Sequence, residues 1–99
     1  MPKLHFTNKA VEDLSDIWEY TFKEWSEKQA DEYYSMIISA CNRLLEGPVH
    51  VIKAYNDIIP GLFGIKAGHH LIFFRTQEDK GILIIRILHE KMESRRHLK

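Results

Sequence analysis

The sequence predicts an α+β domain of order β-α-α-β-β-β, in which a helical hairpin packs on a small, mostly antiparallel sheet. Three observations predict it. The first half holds two amphipathic stretches separated by almost no loop. The second half holds three runs rich in β-branched and aromatic residues, each bounded by turn residues. The last of these, Ile82-Leu83-Ile84-Ile85-Arg86-Ile87-Leu88, is nearly continuous in apolar residues, as expected of a central strand or one covered on both faces.

Each element follows from local chemistry. Leu4-His5-Phe6 is a brief strand, after which Thr7 or Asn8 offers an N-cap oxygen. Val11, Leu14, Trp18, Phe22 and Trp25 recur at spacings of three and four, so they share one helix face, which Ile17 widens. Ser26-Glu27-Lys28-Gln29 has the form of a capping box and starts the second helix. Ala30, Tyr34, Ile37, Cys41 and Leu44 form its stripe, with Tyr33, Ile38 and Leu45 beside them. Gly47-Pro48 should stop it, because proline cannot continue the hydrogen-bond ladder. Residues 49–60 show weak periodicity and read as a connecting loop. Residues 62–66 form the next strand, Ala67-Gly68 a turn and residues 70–75 another strand. Residues 77–81 are polar, end in glycine and make a hairpin loop before the last strand. Residues 90–99 form a basic tail with a short helix at most.

Length and composition narrow the function classes. Ninety-nine residues make a single domain over 1–99 with one core. Hydrophobic residues make up 44%, which argues against intrinsic disorder. No apolar run approaches the roughly 20 residues that cross a bilayer, and the N-terminus lacks a secretory apolar segment. A lone cysteine, Cys41, excludes an internal disulfide and fits a cytoplasmic location. The net charge is zero, yet residues 1–49 carry five Lys/Arg against nine Asp/Glu, while residues 50–99 carry nine against five. This division points to one face prepared for an anionic partner, or to ordinary surface charge.

Recognisable catalytic motifs are absent. The sequence has no phosphate-binding glycine loop, dinucleotide fingerprint or nucleophile elbow. Cys41 sits mid-stripe and reads as a packing residue. Of six histidines only His69-His70 are adjacent, and strand neighbours point to opposite faces, so neither a metal site nor a cofactor is expected. Arg86 interrupts an apolar strand. It must either pair internally, for instance with a helix acid, or open onto a groove that receives an acidic partner. With Arg75, His89, Arg95 and Arg96 it forms the candidate partner-binding set. Acid–base cleavage of RNA would instead draw on Lys66, His70, Lys91 and His97, a cation and proton shuttle of the right types.

The pattern resembles a known family. Ala10-Val11-Glu12-Asp13-Leu14-Ser15-Asp16-Ile17-Trp18-Glu19-Tyr20 is similar to the A-x-x-D-L-x-x-I-x-x-Y opening of ParE toxins. Gln29-Ala30-Asp31-Glu32-Tyr33 resembles their second-helix start and Leu44-Leu45-Glu46-Gly47-Pro48 its end. His70 to Arg75 is similar to their h-x-I-F-Y-R strand, Ile85-Arg86-Ile87-Leu88-His89 to their I-R-I-L-H strand and Arg96-His97-Leu98 to their close. The resemblance is to the ParE branch of the RelE/ParE superfamily and spans nearly the whole chain. It implies the toxin of a type II toxin–antitoxin module of the plasmid-stabilisation kind. A ParD-like antitoxin would hold it, laying an amphipathic segment on apolar surface beside the basic strands. Released, it would inhibit DNA gyrase. RelE-type relatives instead cut messenger RNA on the ribosome. Here the last tyrosine is Tyr55, so the late tyrosine common around their cleavage groove is missing. A third expectation is a non-toxic member that only binds antitoxin.

Overall fold

A computed structural model describes residues 3–46, 52–92 and 94–98. The elements are β1 (Leu4–Phe6), α1 (Asn8–Glu24), α2 (Glu27–Arg43), β2 (Lys53–Ala54), β3 (Phe63–Ala67), β4 (His70–Thr76), β5 (Ile82–His89) and α3 (Ser94–Leu98). The expected order holds, with one addition, the two-residue strand β2 inside the stretch read as a loop; the short helix allowed for in the tail is α3. The expected stop at Gly47-Pro48 lies outside the described residues; α2 ends at Arg43.

The sheet order is β1-β5-β4-β3-β2. Only β1 and β5 run parallel; the other neighbours are antiparallel. Thr7 joins the first strand, the last strand and the first helix. Its N–H donates to Ile84 O at 3.0 Å and its hydroxyl to Ile85 O at 2.7 Å. The same hydroxyl oxygen accepts from Ala10 N at 3.0 Å, capping α1. Ser26 caps α2 by accepting from Gln29 N at 3.1 Å. With only Trp25 and Ser26 between the helices, they must fold back as a hairpin.

β5 lies between β1 and β4 and is covered on both faces, which explains its apolar run. Phe73 pairs with Arg86 but Phe74 with Ile84, leaving Ile85 as the extra residue of a bulge. The bulge shifts the strand's phase. Ile82, Ile84 and Ile87 therefore all face the helix-side core, with Ile65, Ile72 and Phe74. Ile85 and Leu88 face a second cluster with Leu62, Phe73 and Leu98.

That second cluster is the main departure from a two-layer picture. Tyr55, Ile58 and Ile59, from the expected loop, join Leu98 of α3 in covering the face away from the hairpin. The core line of α1 also differs from the expected stripe. Ala10 and Leu14 are buried and Ile17 packs on the core, while Val11, Phe22 and Trp25 are exposed. Small Ala10 lets the helix approach the sheet, and the large residues one step round are left outside.

Candidate partner-binding site

Arg86 is an internal residue. Its Nε and Nη2 donate to Asp13 Oδ2 and Oδ1 at 2.8 and 2.9 Å, a bidentate fork, and its Nη1 donates to His97 O at 3.0 Å. The two side chains are only 18% and 11% exposed. Asp13 Oδ2 also accepts from Ile87 N at 2.9 Å, so one carboxylate ties α1 to both the side chain and the backbone of β5. Hydrogen bonding to Asp13 pushes the guanidinium pKa above its ordinary value, against partial desolvation. The alternative of an Arg86 opening onto a groove gives way to the internal pair, because at least three of its N–H donors are already engaged.

The other members of the expected set divide between the covering-loop region and a groove on the hairpin side. Arg75 is exposed on β4, with its guanidinium about 3.7 Å from where a Cβ on Gly61 would stand. Arg95, on α3, pairs with Asp57 of the covering loop. Arg96 is exposed beside it. His89 lies at the far end of β5, half-buried, in a groove on the hairpin side.

That groove is the concave site of the molecule with the densest chemistry. It encloses about 490 Å³ between Tyr20, Trp25, Tyr33 and Met36 of the hairpin region and His69, His70 and His89 at the sheet end. Gly68 makes the close approach possible. Its φ of +60° suits the turn, and a Cβ there would stand 2.8 Å from the Tyr33 hydroxyl. That hydroxyl accepts from His69 N at 3.0 Å and lies 2.6 Å from His70 Nδ1. The His70 ring meets the Tyr33 and His89 rings edge-on, at 5.4 and 5.2 Å, and His69 stacks on His89 at 6.3 Å.

Burial, followed by the His89 and His69 charges, pushes the His70 pKa down to about 4, against Asp13 and Glu90. Burial raises Tyr33 above its ordinary value, although the His69 N–H bond opposes this. At neutral pH His70 is therefore uncharged, and its link to Tyr33 is a hydrogen bond between neutral groups. On the outer rim Glu90 meets Lys66 Nζ at 3.4 Å and His69 Nδ1 at 3.5 Å. Desolvation pushes its carboxyl up, but Lys66 and then His69 hold it below its ordinary value. His89 Nδ1 accepts from Lys91 N at 3.1 Å.

The ribonuclease set does not converge. Lys66, Leu71 and Leu88 form one cross-strand row, and Ala67, His70 and His89 the next. Adjacent rows face opposite sides of a sheet, so Lys66 and His70 point apart. His97 sits on α3 and offers its carbonyl to Arg86. Burial pushes the Cys41 thiol up to about 12, as an inert packing residue requires. Among the described residues, no three His, Cys, Asp or Glu side chains are arranged to hold a metal ion. None of their helices is long and apolar enough to cross a membrane.

Sequence reasoning missed Tyr33 and His69 as site residues. His69-His70 was expected to split across a strand, but His69 lies in the turn before β4, where alternation does not apply. Tyr33 was placed beside its helix stripe, and only the turn at Gly68 brings it to the histidines.

The hairpin laid on this five-stranded sheet is the fold of toxins from type II toxin–antitoxin modules. It matches a chain of the solved chromosomal ParDE system from P. aeruginosa with a TM-score of 0.72 and 22% identity, covering 90% of this chain and 96% of that one. It also matches a chain of the RelBE2 toxin–antitoxin complex from Mycobacterium tuberculosis, with a TM-score of 0.67 and 18% identity, covering 90% and 99%. Residues 4–94 match the family described as the ParE toxin of the type II toxin–antitoxin system parDE, and the chain belongs to that family. Toxin ParE1 of Mycobacterium tuberculosis (strain H37Rv) is 32% identical over 85 residues, 86% of each chain. Toxin ParE of Escherichia coli is 32% identical over 89 residues, 88% of this chain and 84% of its own. Toxin ParE1 of Caulobacter vibrioides is 29% identical over 98 residues, 99% of each.

Proposed function

We propose that this ParE-family toxin acts in the cytoplasm by binding DNA gyrase, and that a ParD-like antitoxin neutralises it by seating an amphipathic segment in the Tyr33–His70–His89 groove. The observation that supports a binding role over a catalytic one is the failure of the acid–base candidates to converge. Lys66 and His70 occupy rows facing opposite sides of the sheet, and His70 is held neutral well below pH 7. The groove offers what a peptide anchor needs: aromatic walls and a few fixed polar groups, with Gln29 and Glu32 beside Tyr33 and the histidines. Arg75, Arg95 and Arg96, the exposed arginines of the expected set, are assigned to the target.

Purified toxin is expected to inhibit gyrase supercoiling and to raise the amount of cleaved DNA at micromolar concentration. No inhibition would remove gyrase from the reading. Codon-positioned cuts in primer extension, appearing only with ribosomes, would replace it with the RelE-type ribonuclease. Induced expression without a growth defect would point to a member that only binds antitoxin. For the antitoxin, Met36→Glu should weaken complex formation at least about tenfold by placing a charge in the groove wall.

A further inference from the structure

The hairpin carries a second groove that the reading above does not use. It lies on the outer side of α1 and α2, encloses about 460 Å³ and is lined by Ser15, Trp18, Glu19, Phe22, Lys23 and Tyr34. Its apolar floor is the unburied edge of the α1 stripe. Phe22 is 46% exposed and Tyr34 40%, and Val11, about three turns before Phe22 on α1, is 51% exposed. Exposed aromatics gathered into a concavity on a small domain mark an interaction surface rather than scattered surface residues.

The aromatic groups are ordered. Trp18 and Phe22 stack with ring centroids 5.2 Å apart and planes inclined by 10°. The indole Nε1–H donates to Asp31 Oδ1 at 2.9 Å, which fixes the ring from the α2 side. A stacked, oriented aromatic pair presents π faces that attract a planar cation.

The charges around it select the same occupant. Asn8–Arg43 carries eight acids against four bases, and only one of those acids, Asp13, is paired with Arg86. Glu12, Asp16 and Glu19 follow one flank of α1 beside the groove, where helical periodicity aligns them. The lysine in the groove, Lys23, is held by Glu19 at 3.3 Å, and Lys9 by Glu12 at 3.5 Å. Asp31 keeps lone pairs free beyond the single bond from Trp18. Acids beside an aromatic floor suit arginine better than lysine, since a guanidinium stacks flat while its edge donates to carboxylates.

We propose that the Trp18–Phe22–Tyr34 groove is a docking surface for an arginine-bearing amphipathic segment of a partner protein, with the guanidinium on the aromatic pair and its N–H edge toward Asp31 and Glu19. This surface is distinct from the histidine groove. An occupant of the histidine groove meets Tyr20, Trp25 and Tyr33, whereas the arginine segment meets Trp18, Phe22 and Tyr34. The proposal holds whether or not gyrase is the target.

The two tryptophans make the test internally controlled, because Trp18 lies in one groove and Trp25 in the other. The full chain is titrated with a designed helical peptide of about 15 residues carrying arginines at i, i+4 beside leucines. Indole N–H resonances are followed by two-dimensional NMR. The Trp18 indole signal should move and saturate at micromolar peptide while that of Trp25 stays in place. A glutamate version of the peptide should bind at least about tenfold more weakly. Phe22→Ala and Tyr34→Ala, at exposed positions, should each weaken binding about tenfold without changing the thermal melt. Equal binding of the glutamate peptide, unchanged affinity in both variants, or movement of the Trp25 signal alone would overturn the proposal. So would a dimer of the free protein that Phe22→Ala dissolves, since a second copy would then be the occupant. Displacement of the peptide by the cognate antitoxin would assign the groove to the antitoxin instead.

Discussion

Two polar links tie the hairpin to the sheet, and they differ in what they leave open. The Asp13–Arg86 link is charged, bidentate and extended to two backbone groups, Ile87 N and His97 O. The Tyr33–His70 link is neutral, shares its hydroxyl with His69 N and is set in the wall of an open groove. Both join residues far apart in sequence. The first closes on itself and holds α1, β5 and α3 in one arrangement. The second holds α2 to the β3–β4 turn while leaving His69, His70 and His89 facing a concavity. An arginine in an apolar strand is thus the structural residue here, and the histidines line the groove.

Breaking the charged link should have the largest effect. Arg86→Ala leaves Asp13 largely buried without its counter-ion, and Asp13→Ala does the same to Arg86. Each should cost about 3 kcal/mol, read from chemical denaturation. The double substitution Asp13→Leu/Arg86→Met should cost less than the two single changes together, because neither charge is then stranded. A simple sum would mean that the pair is not coupled.

Breaking the neutral link should cost less. Tyr33→Phe keeps the ring against His70 but removes the acceptor for His69 N and the hydroxyl bonded to His70 Nδ1. A loss of about 1–2 kcal/mol is expected, because water can enter the open groove and partly replace the hydroxyl. Binding of the antitoxin should fall along with stability. A variant as stable as the parent would show that the hydroxyl is not part of the link.

The smallest effect sharpens the comparison through pH. His70 has a folded-state pKa of about 4, below the ordinary value near 6.5. The folded state therefore binds fewer protons than the unfolded one. The stability it contributes is complete above pH 6.5, falls as the pH drops from 6.5 to 4 and levels off below that. Screening in a half-open site limits the change to about 1–2 kcal/mol. His70→Gln should flatten this part of the profile. An unchanged slope in His70→Gln would assign the titration to another group.

The elements were legible in the sequence wherever a local signal set them. Thr7 and Ser26 each present a capping oxygen three residues before the N–H they accept, and β4 and β5 are dense in β-formers. Periodicity gave an apolar stripe on α1 but not which edge of it would be buried. Ala10 contributes little hydrophobicity to a count, yet its size decides the approach to the sheet. The covering of the second face was not legible either. Tyr55, Ile58, Ile59 and Leu62 follow no strand or helix period, and their common destination exists only once the chain has folded. The acid partner of Arg86 was one of two readings open at the start. The choice of Asp13 depends on the bulge at Ile85, which no local pattern announces.

β1 stops at Phe6, opposite Ile84, so the outer margin of β5 runs on past the end of its neighbour. Asp13 takes the Ile87 N–H that would otherwise invite another chain to add itself there. The first helix thereby closes that donor to strand pairing. A single carboxylate thus serves both the ion pair and the margin of the sheet.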